Sequence, residues 1–229
     1  VSLFSGVGGF EQALNKLGGK CVMASEFDPN AKIQWNQIAY EILYGEKPKG
    51  DVREINENDV PDHDLLVAGF PCQAFSVAGK RLGFEDTRGT LFFEIARIAK
   101  EKRPKILLLE NVKGLIGHDK GKTIETIVRI LNDIGYTIDF QVLNSKYFGV
   151  PQNRERVYFV CVKDELIDRE SWKIEGTNVV AKAKKRLSQI EGIKTFNFDW
   201  PPQTEVTTRL RDILEDNVDE KYYLSEEKT

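Results

Sequence analysis

The chain has 229 residues, 41% hydrophobic and 30% charged, with 33 basic against 36 acidic side chains and a net charge of −3. This composition suits a globular chain with its own core and excludes a disordered or histone-like basic protein, while leaving room for a local basic groove. No apolar run approaches the roughly 20 residues of a membrane span. The opening VSLFSGVGGF lacks the features of a signal peptide, and the widely spaced Cys21, Cys72 and Cys161 make neither a disulfide framework nor a metal pair. A reducing, intracellular setting is the expectation. Because the first residue is Val, some N-terminal sequence is expected to be missing.

Short apolar runs alternate with amphipathic stretches. VSLF (1–4) predicts a strand ending in the glycine turn SGVGG, with a helix following to about Leu17. KCVMASE (20–26) reads as a second strand. Pro29 stands where a helix would begin, and Ile33, Ile38, Ile42 and Leu43 supply its apolar spacing to about Tyr44. Leu65–Ala68 is an apolar run leading into GFPC, and residues 90–102 have helical spacing through Leu91, Ile95, Ile98 and Ala99. KILLLE (105–110) reads as a strand of a parallel sheet covered on both faces. An amphipathic helix is expected over 123–134, and strands over 138–143 and 156–163.

This alternation predicts an α/β fold, a doubly wound and mostly parallel sheet, over residues 1–165. Residues 166–229 differ in character. They hold a basic cluster (Lys182, Lys184, Lys185, Arg186), read as a solvated helix face, then the Pro201-Pro202 break and a strongly acidic end. His63 and His118 have no metal-ligand spacing, so no metal is expected. Cys21 and Cys161 sit inside strand patterns as core residues, and Trp35, Trp172 and Trp200 are read as packing.

In an open parallel sheet, ligands bind beyond the carboxyl ends of the strands. Phe4-Ser5-Gly6-Val7-Gly8-Gly9 occupies such a place after the first strand, where glycines admit close approach of a ligand and a helix start offers free amides. Glu26 ends the second strand, where an acid commonly accepts from ribose hydroxyls, so an adenosine-containing ligand is indicated. The pattern is GxGG rather than GxGxxG, which does not favour a dinucleotide, and a plain tight turn is an equal reading. Phe4 is either a core residue or a platform for a purine. Asp51, taken alone, is a solvated turn acid, with an adenine amino group as the other possibility.

Two further strand ends carry chemistry. Gly69-Phe70-Pro71-Cys72-Gln73 closes one and Glu110-Asn111-Val112 the next, which puts a thiol and a carboxylate at one cleft. A strand-end cysteine is ordinarily inert packing and a strand-end glutamate a cap or ion pair; together they point to a thiolate nucleophile beside an acid. Arg154 and Arg156 in QNRER, at i and i+2, would face the same way on a strand and suit an anion or a carbonyl-rich base; alone they read as surface salt bridges. Residues 76–89 (SVAGKRLGFEDTRG) have the composition of a lid with phosphate-contacting side chains.

In this order and spacing, FSGVGG (4–9) with Glu26, GDV (50–52), GFPCQAFS (69–76), ENV (110–112) and QNRER (152–156) resemble the catalytic domain of the DNA (cytosine-5) methyltransferases, most closely the bacterial restriction-modification type. The resemblance covers residues 1 to about 163. It implies S-adenosyl-L-methionine as cofactor and S-adenosyl-L-homocysteine as product. By that resemblance Phe4 lies on the adenine, Glu26 holds the ribose, and Asp51 and Val52 contact the adenine. Ser5, Gly6, Gly8, Gly9, Phe27, Gly69, Pro71 and Leu91 complete the site. Cys72 would add to C6 of a flipped cytosine, Glu110 engage N3 and the exocyclic amine, and Arg156, with Arg154 nearby, contact O2. Gln73, Ser76, Arg81 and Arg88 would lie near the DNA.

The implied partner is duplex DNA in a bacterial cytoplasm, with a monomeric enzyme and a cognate restriction endonuclease linked genetically rather than physically. The family's closing motifs do not occur here, and VTTRLRDILED (206–216) resembles the joint to its variable target-recognition region, so the chain reads as a catalytic-domain fragment. A tRNA cytosine-5 methyltransferase and a non-catalytic DNA-binding remnant are the alternatives. A nicotinamide oxidoreductase would account for the glycine turn but not for PCQ or QNRER.

Overall fold

The computed structural model describes residues 1–71 and 91–222. Its described strands form a single sheet in the order β2-β1-β3-β4-β6-β5. They are β1 (Ser2–Leu3), β2 (Ala24–Ser25), β3 (Leu65–Gly69), β4 (Ile106–Val112), β5 (Tyr136–Asn144) and β6 (Glu155–Lys163). β2, β1, β3 and β4 run parallel, and β6 is antiparallel to β4. The helices are α1 (Gly9–Asn15), α2 (Trp35–Tyr44), α3 (Leu91–Lys102), α4 (Lys122–Asp133) and α5 (Val179–Leu187). This is the expected α/β architecture with a mostly parallel sheet. None of the described helices is long and apolar enough to cross a membrane.

Helical periodicity predicts α3 and α4 well because their apolar positions fall on one face. Ile124, Ile127, Val128 and Leu131 of α4 are fully buried, at the i, i+3, i+4, i+7 spacing of a core-facing stripe. They join Leu66, Leu107, Leu109, Val157, Phe159 and Phe92 in one apolar cluster. KILLLE is buried more completely on one face than the other: Leu107 and Leu109 are fully buried, Leu108 only partly.

Other expectations are corrected. Pro29 does not start α2, which begins at Trp35. The Gln34 side chain clamps the intervening loop, accepting from the Asp28 N–H at 2.9 Å and donating to the carbonyls of Asp28 (2.8 Å) and Ala31 (3.0 Å). The buried face of α2 is Gln37 and Tyr40; Ile42 and Trp35 are 78% and 67% exposed, so Trp35 is not core packing. β2 is shorter than KCVMASE, and Cys21, partly exposed, lies outside it, whereas Cys161 is buried in β6.

Contacts divide the chain into two compact units, Val1–Val142 with Arg156–Trp200, and Leu143–Glu155 with residues from Pro201 onward. The first continues past residue 165 because Trp172, Val180, Ala183 and Leu187 are buried in its core. The Trp172 indole donates to the Ile138 carbonyl at 3.2 Å. In the second unit Asn144 is the hub. Its N–H donates to Gln203 Oε1 (2.7 Å), its amide to Asn153 Oδ1 (2.7 Å), and its Oδ1 accepts the Arg154 N–H (3.1 Å).

Candidate active site

The order of the strands reverses between β1 and β3, because β1 connects to β2 on one side while the chain then crosses to β3 on the other. Such a switch point leaves a crevice beyond the carboxyl ends. A cleft of about 520 Å³ lies there, lined by Phe4 and Gly6 after β1, Glu26 and Phe27 after β2, and Gly69 and Pro71 after β3. Asp51, Val52 and Leu91 complete the expected lining. Its volume is that of an ordinary small-molecule site.

The turn after β1 is built from left-handed backbone. Phe4, Gly6 and Gly8 have φ of 57°, 57° and 87°. Gly6 has no neighbour within 4 Å of where a Cβ would lie, and its N–H donates to Glu26 Oε2 at 2.8 Å. Phe4 is partly buried and packs against the core while lining the cleft. Gly8, Gly9 and Ser5 are not among the residues that line the cleft. Gly8 is required by Tyr44 of α2: its carbonyl accepts from the Tyr44 hydroxyl at 2.8 Å, and a Cβ there would collide with the ring. Ser5 is buried, its hydroxyl without a hydrogen-bond partner.

Glu26, Asp28 and Asp51 line the cleft, and Glu26 and Asp51 are held by different kinds of donor. Asp51 is taken by Arg53: Oδ1 accepts from the Arg53 N–H (3.0 Å) and Nε (2.9 Å), and Oδ2 from Nε and Nη2. Hydrogen bonds from Arg53 hold its carboxyl below the usual range. Among the described residues Glu26 meets neutral donors, Gly6 N–H on Oε2 at 2.8 Å and Asn36 Nδ2 on Oε1 at 3.0 Å. Arg53, Asn36, Ser25 and Asp28–Asn30 also line the cleft, and no sequence motif singles them out.

At the adjoining strand ends, Glu110 stands opposite Gly69 in the β3–β4 register, with Oε2 3.5 Å from where a Gly69 Cβ would lie. Arg156 faces Val112 across the antiparallel pair, so it is diagonal to Glu110, and its Nε meets Glu110 Oε1 at 2.9 Å. Both side chains are about four-fifths buried. Asn111 was read only as part of a motif, yet it is 2% exposed and joins the two strand ends. Its Nδ2 donates to the Phe70 carbonyl at 2.8 Å and its Oδ1 accepts the Val112 N–H at 2.8 Å. Arg154 precedes β6 rather than sharing it with Arg156; it is exposed and belongs to the second unit. Cys72, Gln73, Ser76, Arg81 and Arg88 lie outside the described residues.

The basic cluster of α5 is not a uniformly solvated face. Lys184 is buried, its Nζ 2.6 Å from Asp139 Oδ1 and 5.4 Å from the ring centres of Phe140 and Trp172. Asp139 Oδ2 accepts from the Phe198 N–H (3.0 Å) and the Trp200 indole (2.7 Å).

The mostly parallel sheet, with β6 antiparallel beside β4, is the α/β fold of the methyltransferases. The profile of the C-5 cytosine-specific DNA methylase family matches residues 1–229, and the chain belongs to that family. It is 52% identical over its whole length to the orphan methyltransferase M.Rho11sI of Bacillus phage rho11s, covering 46% of that protein. It is 49% identical to the type II methyltransferase M.HhaI of Haemophilus parahaemolyticus, over 93% of this chain and 56% of that one. The chain thus spans about half the length of these relatives. The crystal structure of S. pombe Dnmt2 methyltransferase shares the fold, with a TM-score of 0.63 at 24% identity, covering 97% of this chain and 62% of that one.

Proposed function

We propose that the protein methylates C5 of cytosine in duplex DNA, using S-adenosyl-L-methionine and leaving S-adenosyl-L-homocysteine. The cleft residues fit such a cofactor. Glu26 has acceptor capacity to spare for a ribose, Gly6 leaves open space above the turn, and Phe4, Val52 and Leu91 offer apolar surface for a purine. Bound there, S-adenosyl-L-methionine supplies an electrophilic methyl carbon.

Cytosine C5 is a poor nucleophile, and the chain's residues supply its activation. The Cys72 thiolate adds to C6, and the electron pair of the C5–C6 bond becomes available at C5. Glu110 bonds N3 and the exocyclic amine, offsetting the charge that develops in the ring. Arg156 holds Glu110 through Oε1, with Oε2 on the Gly69 side, and is assigned to O2 of the base. After the methyl is attached, loss of the C5 proton restores the double bond and expels the Cys72 thiolate. The base must leave the duplex for a thiol and a carboxylate to reach it. Gln73, Ser76, Arg81 and Arg88, close after Cys72 in sequence, are assigned to the DNA. Arg154 is assigned to the base side with Arg156.

The observation that carries this reading is the ion-paired Glu110 opposite Gly69, at the edge of the cofactor cleft and at the strand end that leads into Pro71-Cys72. Relatives are named both orphan and type II methyltransferases; protection of host DNA alongside a restriction endonuclease rests on the second name. The test is transfer of labelled methyl from S-adenosyl-L-methionine to duplex DNA and, separately, to tRNA, by this protein and its Cys72→Ser variant. Label in DNA that vanishes with Cys72→Ser is expected. Label that persists in that variant, or that enters only tRNA, refutes the proposal.

A further inference from the structure

We propose that Asn36 is the positioning residue that makes Glu26 read a vicinal diol, so that the cleft distinguishes a ribose from a 2′-deoxyribose. This rests on the reading of the cleft as the seat of an adenosine-type cofactor. A carboxylate held by one hydrogen bond swivels about its terminal torsion, which has a broad profile. Glu26 is held by two, from separate elements: Gly6 N–H of the turn after β1 on Oε2 (2.8 Å), and Asn36 Nδ2 of the first turn of α2 on Oε1 (3.0 Å). The plane of the carboxylate is therefore set.

Each carboxylate oxygen accepts about two hydrogen bonds, so each keeps one position open after its anchor is counted. Two open acceptors on one fixed edge match the two O–H donors of neighbouring hydroxyls. Asp51, which also lines the cleft, has no such capacity, because Arg53 occupies both its oxygens. A cation on Glu26 would compete with a neutral diol in the same way. Asn36 gives orientation without charge, and it lines the cleft itself.

Asn36 is placed by side chains other than its own. Gln37 Nε2 donates to the Glu26 carbonyl at 2.6 Å in a buried contact, tying α2 to the end of β2. The Gln34 clamp holds residues 28–34 ahead of the helix. Truncating Asn36 thus leaves both the helix start and the Glu26 backbone supported, and isolates the carboxylate orientation.

The test measures binding of S-adenosyl-L-homocysteine and its 2′-deoxyribose analogue by calorimetry, with the wild-type protein, Asn36→Ala and Asn36→Asp. The wild type is expected to prefer the ribose form by roughly 10- to 100-fold, the value of a hydrogen bond to a charged group. In Asn36→Ala the ribose form should weaken about tenfold while the deoxyribose form changes less than about twofold, so the ratio collapses. Asn36→Asp keeps the shape but puts a second carboxylate against Glu26. Its ribose affinity should fall further, because an ionised acid there repels Glu26 and donates no hydrogen bond to Oε1.

Thermal melting reports whether either variant has lost its fold; an effect through folding alone weakens both ligands equally and refutes the positioning role. Unchanged discrimination in both variants, or a wild type that does not discriminate, overturns the inference while leaving the cofactor reading intact. A wild type that binds neither ligand overturns the cofactor reading, and the inference with it.

Discussion

Asn111→Asp separates the anchoring role of Asn111 from its bulk. The side chain is 2% exposed, and its two hydrogen bonds have opposite polarity, a donor to the Phe70 carbonyl and an acceptor for the Val112 N–H. Replacing the amide by a carboxyl keeps the acceptor and, above its pKa, turns the donor into a charged acceptor facing a carbonyl 2.8 Å away. An unsatisfied buried polar group costs about 1–3 kcal/mol, and more when charged, so a loss of about 3 kcal/mol at pH 7 is expected. Burial and the facing carbonyl raise the variant's carboxyl pKa above its unfolded value near 3.9, since both disfavour the charged form. The folded state then holds the proton more tightly than the unfolded state. The variant's deficit should be smallest below about pH 4, where the protonated carboxyl donates to Phe70, and should grow as pH rises towards the raised pKa, flattening above it.

Denaturant unfolding of wild type and variant from pH 4 to 8 reads this directly. The functional consequence follows from covalent geometry. The Phe70 carbonyl belongs to the peptide plane leading into Pro71, whose ring fixes φ, so one soft torsion separates the anchored plane from the Cys72 amide. The variant should lose kcat in methyl transfer at pH 7.5 while its KM for S-adenosyl-L-methionine changes little. A pH-independent deficit, or one below about 1 kcal/mol at pH 7, refutes the reasoning.

Lys184→Met keeps the aliphatic packing on Phe140 and Trp172 but leaves Asp139 buried without its cation, so a loss of about 3–5 kcal/mol is expected in urea unfolding. Adding Asp139→Asn should recover part of that loss, and a double-mutant cycle without coupling would contradict the pairing. Gly8→Ala combines positive φ with a collision against the Tyr44 ring and should cost about 3 kcal/mol. With Tyr44→Ala as background the same change should cost only about 1–2 kcal/mol, the backbone share, as read by thermal melting.

What the sequence determined by itself is what depends on neighbours along the chain. Apolar spacing marks α3 and α4, because a stripe at 3.6-residue period has one way to be buried. The glycine turn, GFP and ENV mark the ends of β1, β3 and β4, and the alternation of strands and helices brings these ends to one edge of the sheet. Glu26, Gly69 and Glu110 were legible as candidates because they stand at strand ends, and Asp51 through the family resemblance. The identity of their partners was not, because hydrogen bonds and ion pairs across the fold leave no periodic trace. Glu26 and Asp51 look alike in sequence, yet Arg53 occupies both oxygens of Asp51 while Glu26 accepts from the Gly6 N–H and the Asn36 amide. Gly8, read from the turn motif alone, also has Tyr44, 36 residues later, packed where its Cβ would lie. Lys184, read as solvated among its basic neighbours, turns inward to an aspartate 45 residues earlier on β5. α2 starts after Gln34 rather than at Pro29 because a side chain closes the loop onto its own backbone. Period and punctuation place the elements, and only the assembled fold decides which polar groups face each other once water has been excluded between them.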